Sequence, residues 1–217
     1  MKTQSHKRLP WVGRLLLAAG VGAGAIGCIG LPKPSGASPR HFVLTPLAAE
    51  SAPVGASTGG RAVGVGFVKI PSYLFNDSIT VRQGTNEVTY LESALWAERL
   101  DSGLQRVLAA NLGILLSTSQ MRLSAWRPEE VSAEIYVTIE QFDVDSRGRG
   151  SLVAWWRVLA PGGESILSSN QFRAALEGSQ PASDPDGATA TMSALAVSLS
   201  RELAQAVTAA SAGGSQR

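Results

Sequence analysis

Lys69 to Leu112 reads KIPSYLFNDSITVRQGTNEVTYLESALWAERLDSGLQRVLAANL, two strand-like pieces running into one amphipathic helix. Pro71 lacks a ladder donor and biases Ile70 toward extended geometry, so Ile70 to Leu74 reads as the end of a strand. Ile79-Thr80-Val81-Arg82 is rich in β-branched residues and is followed by the turn signal Gln83-Gly84-Thr85-Asn86. Glu87 to Tyr90 alternates polar and apolar and reads as the returning strand. The period then changes. Trp96, Leu100, Leu104, Val107, Leu108, Asn111, Leu112 and Leu115 fall on one helical face, with Glu98, Arg99, Asp101, Gln105 and Arg106 mostly off it. Gly103 inside this helix costs about 1 kcal/mol relative to Ala and predicts close helix–sheet contact. Gly113 marks a helix end near Leu112.

Downstream, Val131, Ala133, Ile135, Val137 and Ile139 alternate with Ser132, Glu134, Tyr136, Thr138 and Glu140, the pattern of a strand with one buried and one wet face. Phe142 and Val144 break that parity, which predicts a bulge near Glu140-Gln141. Asp145 to Gly150 reads as a hairpin loop, Leu152 to Leu159 as the next strand and Ser165 to Ala175 as a third, after the turn Pro161-Gly162-Gly163. A second helix carries Met192, Leu195, Leu199, Leu203, Ala206 and Val207 on one stripe, with Asp184 or Asp186 placed to cap its start. Upstream, His41 to Thr45 is a short strand candidate ended by Pro46, and Ala48 to Gly60 is loop-like. The order is strands, helix, three consecutive strands, helix. It predicts an α+β domain with a mainly antiparallel sheet and two helices packed on one face.

The chain has 217 residues and a formal net charge of +2. Four of its 19 basic residues, Lys2, Lys7, Arg8 and Arg14, precede Cys28, whereas all 17 acids follow it, so residues 28–217 carry 15 basic groups and a net charge of −2. Nothing in that balance favours nucleic acid. Met1 to Gly27 has a basic start, an apolar run from Leu15 to Ile26 and small residues before the only cysteine. Ala25-Ile26-Gly27-Cys28 resembles a lipobox, with Ala where Leu is usual, which implies acylation of Cys28 after cleavage. An ordinary signal peptide or an uncleaved anchor is the other reading of the same residues. The segmentation is therefore a leader over 1–27, a Pro/Gly/Ser tether over 28–40, a domain over 41–210 and a disordered tail over 211–217.

Catalytic chemistry has few residues to build on. His41 is the one histidine after the leader, which leaves no Ser-His-Asp or Cys-His set and no transition-metal ligand set. Gly64-x-Gly66 lacks a third glycine at Lys69 and is no phosphate loop, so these glycines predict a helix or another backbone packed closely on the strand. Asp184-x-Asp186-Gly187 has the beginning of a calcium loop without its closing Glu. Asp143 and Asp145 read as loop-edge residues with turn roles. No cofactor is expected. Three features are candidate binding surfaces, each with a core-packing alternative. They are Pro71 to Phe75, the adjacent Trp155-Trp156 (of which at most one can face a covered side), and Arg82 with Trp96. Binding residues are not assigned.

Val63 to Leu74 (VGVGFVKIPSYL), Ile79 to Arg82 and Leu95 to Asp101 (LWAERLD) together resemble the ABC-type transport auxiliary lipoproteins, the PqiC-like family, over roughly His41 to Thr208. The resemblance implies a non-enzymatic lipoprotein of a Gram-negative envelope that accompanies an MCE-type system moving phospholipid or other apolar molecules between membranes. It implies an MCE-domain partner, docking to the outer membrane through the acyl anchor, and leaves a homo-oligomer open. Ile29, where an Asp would favour inner-membrane retention, places the anchor on the periplasmic face of the outer membrane by the same resemblance. A lipid-binding periplasmic carrier or chaperone, with its own pocket between helix and sheet, is the rival reading.

Overall fold

In the computed structural model, which describes residues 38–48 and 62–214, the chain runs β1 (Arg40–Phe42), β2 (Ala62–Val65), β3 (Ser78–Arg82), β4 (Val88–Trp96), α1 (Leu100–Leu115), β5 (Met121–Leu123), β6 (Val131–Asp145), β7 (Gly150–Leu159), β8 (Ile166–Leu176) and α2 (Pro185–Gly214). The leader, Cys28 and most of the expected tether lie outside the described residues, as does most of the 48–60 loop.

β6 is central because its two edges serve different partners. One edge takes β7 antiparallel from Glu134↔Leu159 to Val144↔Gly150. The other takes β2 in parallel along Val131 to Ile135 and β3 in parallel at Val144 and Asp145. The alternation seen in the sequence holds: Val131, Ala133, Ile135, Val137 and Ile139 are buried. The register then slips between Ile139 and Gln141, which keeps Phe142 and Val144 on the buried face and leaves Asp143 on the other. The Asp145–Gly150 hairpin and the β7 and β8 strands also stand where the turn signals place them.

Five expectations are corrected. The sheet is mixed rather than mainly antiparallel, since β1 pairs β4, β2 pairs β5, and both β2 and β3 pair β6 in parallel. Turn signals report only local hairpins, and these parallel pairings are made by segments far apart in sequence. An extra strand, β5, precedes β6. Trp96 closes β4 instead of opening the helix: its N–H donates to the Asp77 carbonyl (2.6 Å) and the next N–H, of Ala97, to Phe42 (2.8 Å), and α1 starts four residues on. Its spacing from Leu100 imitates a helical repeat. Ile70 to Leu74 is not a strand end, because beyond β2 the chain follows β6 by single bonds (Gly66 N–H to Ile135, Lys69 N–H to Val137) and then turns through a 3-10 helix over Ser72–Leu74 behind Pro71. At the C-terminus, α2 continues to Gly214, through the first part of the expected disordered tail.

The stripes of α1 (Leu100, Leu104, Val107, Leu108, Leu112) and α2 (Met192, Leu195, Leu199, Leu203, Val207) meet the inward side chains of β6 and β7 in one core. Each such leucine stabilises the fold by about 1.5–3 kcal/mol through burial. Asn111 lies fully buried on the α1 stripe and is satisfied there. Its Oδ1 accepts the Leu47 N–H (2.7 Å) and its Nδ2 donates to Ser200 Oγ (3.0 Å). Thr45 N–H donates to Ser193 Oγ (3.1 Å), so the strap after β1 is bonded to both helices. Gln105, also buried, donates from Nε2 to the Val65 and Gly66 carbonyls, both at 2.9 Å, and ties α1 to the end of β2.

Replacing Asn111 by Ala strands the Leu47 N–H, while the Ser200 hydroxyl keeps its bond to the Ala196 carbonyl (2.7 Å). We expect a loss of about 1–3 kcal/mol in urea unfolding, with faster hydrogen exchange at the Leu47 amide.

Candidate functional site

With both helices on one face, the other face of the sheet stays open, and two of the three candidate surfaces lie there. Trp155 and Trp156 part as the pleat requires. Trp156 is buried against α2, where its Nε1 donates to Glu202 Oε1 (2.8 Å). Trp155 is 50% exposed on the open face. Its Nε1 donates to Glu140 Oε1 (3.0 Å), Gln171 Nε2 donates to the other Glu140 oxygen (2.8 Å), and Arg173 Nε donates to Gln171 Oε1 (3.0 Å). This row fixes an aromatic ring on a polar sheet surface. Nearby on the same sheet, Gly64 and Gly66 have no room for a side chain: an added Cβ would sit 2.7 Å from the Trp126 ring and 2.6 Å from the Tyr136 ring. What packs closely there is not a helix or backbone, as expected, but two aromatic side chains, whose rings stand 6.5 Å apart.

Arg82 does not meet Trp96. The two stand at opposite ends of the β3–β4 ladder, where Arg82 pairs Val88 and Ser78 pairs Leu95. The partner of Arg82 is Asp143, whose side chain is 2% exposed: Nη2 donates to Oδ2 at 2.6 Å and Nε reaches both carboxylate oxygens at 3.1 and 3.2 Å. Gln141 Nε2 donates to Oδ1 (2.9 Å) and the Tyr73 hydroxyl to Oδ2 (3.2 Å). The Tyr90 hydroxyl donates to the Tyr73 carbonyl (3.1 Å). Asp143 is thus a buried anchor, not a turn residue. The parity break at the bulge and a lone arginine ending a β-branched strand are the sequence signals that mark it.

This cluster holds the Pro71 to Phe75 turn on the sheet. Leu74 enters the core while Phe75 is 57% exposed, with the Arg99 guanidinium 5.3 Å from its ring centre. Burial, then the Asp143 carboxylate, pushes the Tyr73 hydroxyl up to about 12, so at neutral pH it is a fixed donor and no base. Asp143 has both oxygens engaged. The arrangement positions an aromatic turn rather than moving protons. Asp184 serves as the cap of α2, accepting the Gly187 N–H at 3.0 Å.

Elsewhere, a groove of about 590 Å³ opens between the C-terminal parts of α1 and α2 beside Leu47. Among the described residues, no group of His, Cys, Asp and Glu is arranged to hold a metal ion, and no helix is long and apolar enough to cross a membrane. Cys28, the one assigned site residue, lies outside them.

The fold is an α+β layer pair with one open sheet face that carries ordered aromatics. Residues 42–204 match the family of the ABC-type transport auxiliary lipoprotein component, and the chain belongs to that family. No curated protein matches the sequence significantly. Among solved structures, protein XCC0632 from Xanthomonas campestris, of family DUF330, is similar at 13% identity with a TM-score of 0.68, over 82% of this chain and all of that one. An uncharacterized protein is similar at 17% identity with a TM-score of 0.62, over 78% of this chain and 98% of that one. At such identities the likeness concerns the fold.

Two outcomes test the Arg82 cluster. Arg82→Ala leaves a buried carboxylate without its cation and is expected to cost toward the low end of about 3–5 kcal/mol in denaturant unfolding, since Arg82 keeps some contact with water. For Tyr73, whose folded value is raised from 10.0 to about 12, the folded chain holds the extra proton across that window. Stability is therefore whole below the ordinary tyrosine value and is lost as pH rises through the window; Tyr73→Phe should flatten this alkaline slope.

Proposed function

We propose that this chain is the periplasmic, lipid-anchored component of an MCE-type intermembrane transport system for phospholipid or similar apolar molecules, and that it docks the transporter onto the outer membrane. The observation that carries the reading is the family match over residues 42–204 behind a leader-like segment, 1–27, that runs up to Cys28. The working parts are an acyl anchor at Cys28, the 28–40 tether and a folded domain offering a partner surface. More than one acyl chain makes such an anchor firm. Tethering raises the concentration of a partner at the membrane without adding contacts. The partner is an MCE-domain protein.

The role is mechanical rather than enzymatic. Supporting this, the most buried carboxylate on the open face is saturated by Arg82, Gln141 and Tyr73, and the exposed Trp155 and Phe75 are held by polar or cationic neighbours in fixed poses suited to contact.

A mild-detergent pull-down of the full chain from its native envelope, run beside Cys28→Ala, tests the reading. We expect an MCE-domain protein with both forms, and loss of outer-membrane material with Cys28→Ala only. Recovery of stoichiometric lipid and no transporter would contradict docking.

A further inference from the structure

β8 bonds to β7 along one side, and its other side is free. Among the described residues, no hydrogen bond except those to β7 reaches the N–H or carbonyl groups of Ile166 to Leu176. The side-chain bonds of the strand run to the two sheet faces instead: Asn170 donates to Glu202 on the helical side, and Gln171 to Glu140 on the open side. Every second residue of such an edge turns both backbone groups outward, so eleven residues leave a row of unpaired donors and acceptors about 35 Å long. Folded proteins blunt such edges with short strands, proline, lysine or other charges. The other free edges follow that rule. β1 and β5 have three residues each, and the part of β4 that β1 leaves uncovered, Val88 to Ser93, carries Glu92. β8 has no proline and no lysine, and Arg173 is its one charge. Ile166, Leu167 and Leu176 stand exposed at its two ends. Its one register shift against β7 lies at the start, beside Leu159, and the pairing is even from Ser168 to Leu176.

An unpaired backbone row selects an extended polypeptide, because only another strand offers donors and acceptors at the same spacing. Length and side chains then select which one. No other free edge of this sheet matches eleven residues, so the counterpart of β8 is β8 of a second copy. The strand is also self-complementary. Run antiparallel with Gln171 opposite its own copy, all eleven residues pair, and no other register pairs them all. Ile166 then faces Leu176 and Leu167 faces Ala175, which covers the exposed apolar ends. Each Arg173 faces a Ser169. Moving the centre two residues on would set Arg173 against Arg173, a like-charge opposition that destabilises a strand pair.

We propose that two copies of this chain pair through β8 about a two-fold axis at Gln171, joining their eight-stranded sheets into one. Trp155 lies opposite Gln171 on β7, so the two Trp155 rings share one continuous open face. The pairing goes beyond docking and needs no transporter.

The test uses the purified full chain with no transporter present, in detergent at large excess so that anchors do not share a micelle. A short thiol cross-linker is expected to join Gln171→Cys into a dimer, since directly opposed residues hold their Cβ atoms about 4.5–5.5 Å apart. Ser169→Cys should link at least about tenfold less, because its own copy lies four residues along the strand, about 13 Å away. The unsubstituted chain, with Cys28 as its one cysteine, sets the background. Sedimentation then reads the charges. Ser169→Glu sets a carboxylate against each Arg173 and should tighten the dimer about tenfold. Ser169→Glu combined with Arg173→Glu opposes like charges twice and should weaken it about tenfold, whereas Arg173→Glu alone changes little. Both positions are exposed, and in both carboxylate variants at 169 the chain's own Arg157 is the neighbour on β7, so melting temperatures stay alike. A monomer at every concentration, equal linking at Ser169→Cys, or a dimer indifferent to the double substitution overturns the assignment. So does a Gln171→Cys chain that links in native envelopes only to a different protein, which would give the edge to that protein. Because no transporter takes part, failure here leaves docking standing, and failure of docking leaves the dimer standing.

Discussion

The structure depends on one strand that must satisfy two edges and two faces at once. β6 is fifteen residues long, and its inward side chains join those of both helices in one core. A continuous period of two over that length would carry Phe142 and Val144 to the solvent face and Asp143 into the hydrocarbon. The slip between Ile139 and Gln141 prevents both. An unpaired carboxylate in the core would cost several kcal/mol; on the open face the same group meets Arg82, delivered by β3 through its parallel pairing at Val144 and Asp145. The bulge, the parallel crossover and the buried ion pair are therefore one solution to one constraint.

Around that strand, a few polar groups inside apolar surroundings decide how the layers sit. Hydrophobic burial holds α1 and α2 on the sheet but does not by itself fix their angle or register, because it has little directional preference. Asn111 to Leu47 and Ser200, Gln105 to the end of β2, and Trp156 to Glu202 supply the direction. Each crosses between elements distant in sequence. Together they fix the two helices on a sheet whose other side displays ordered aromatics.

Much of this was legible in the sequence where the information is local. The alternation from Val131, the parity break at Phe142, the hairpin at 145–150 and the two amphipathic stripes are short-range patterns, and the fold keeps them. The parallel pairings of β2 and β3 with β6 were not legible, since a crossover leaves no turn residue behind. Trp96 was misplaced because a residue four before Leu100 satisfies a helical period by coincidence while its backbone completes β4. Arg82 and Asp143 were each singled out, yet nothing in one sequence says that residues 61 apart share a hydrogen bond. The groove was invisible for the same reason: its walls come from Leu47, α1 and α2.

The family assignment over residues 42–204 makes the chain an auxiliary component of an ABC-type transporter. The account's central claim is that its work is inseparable from an MCE-type transporter. The most direct measurement is genetic: outer-membrane permeability in the native bacterium after deleting this chain, the MCE-domain partner, or both. Docking predicts that either single deletion raises permeability to the same extent and that the double deletion is no worse. Additive defects, or a defect confined to one of the two deletions, would contradict it.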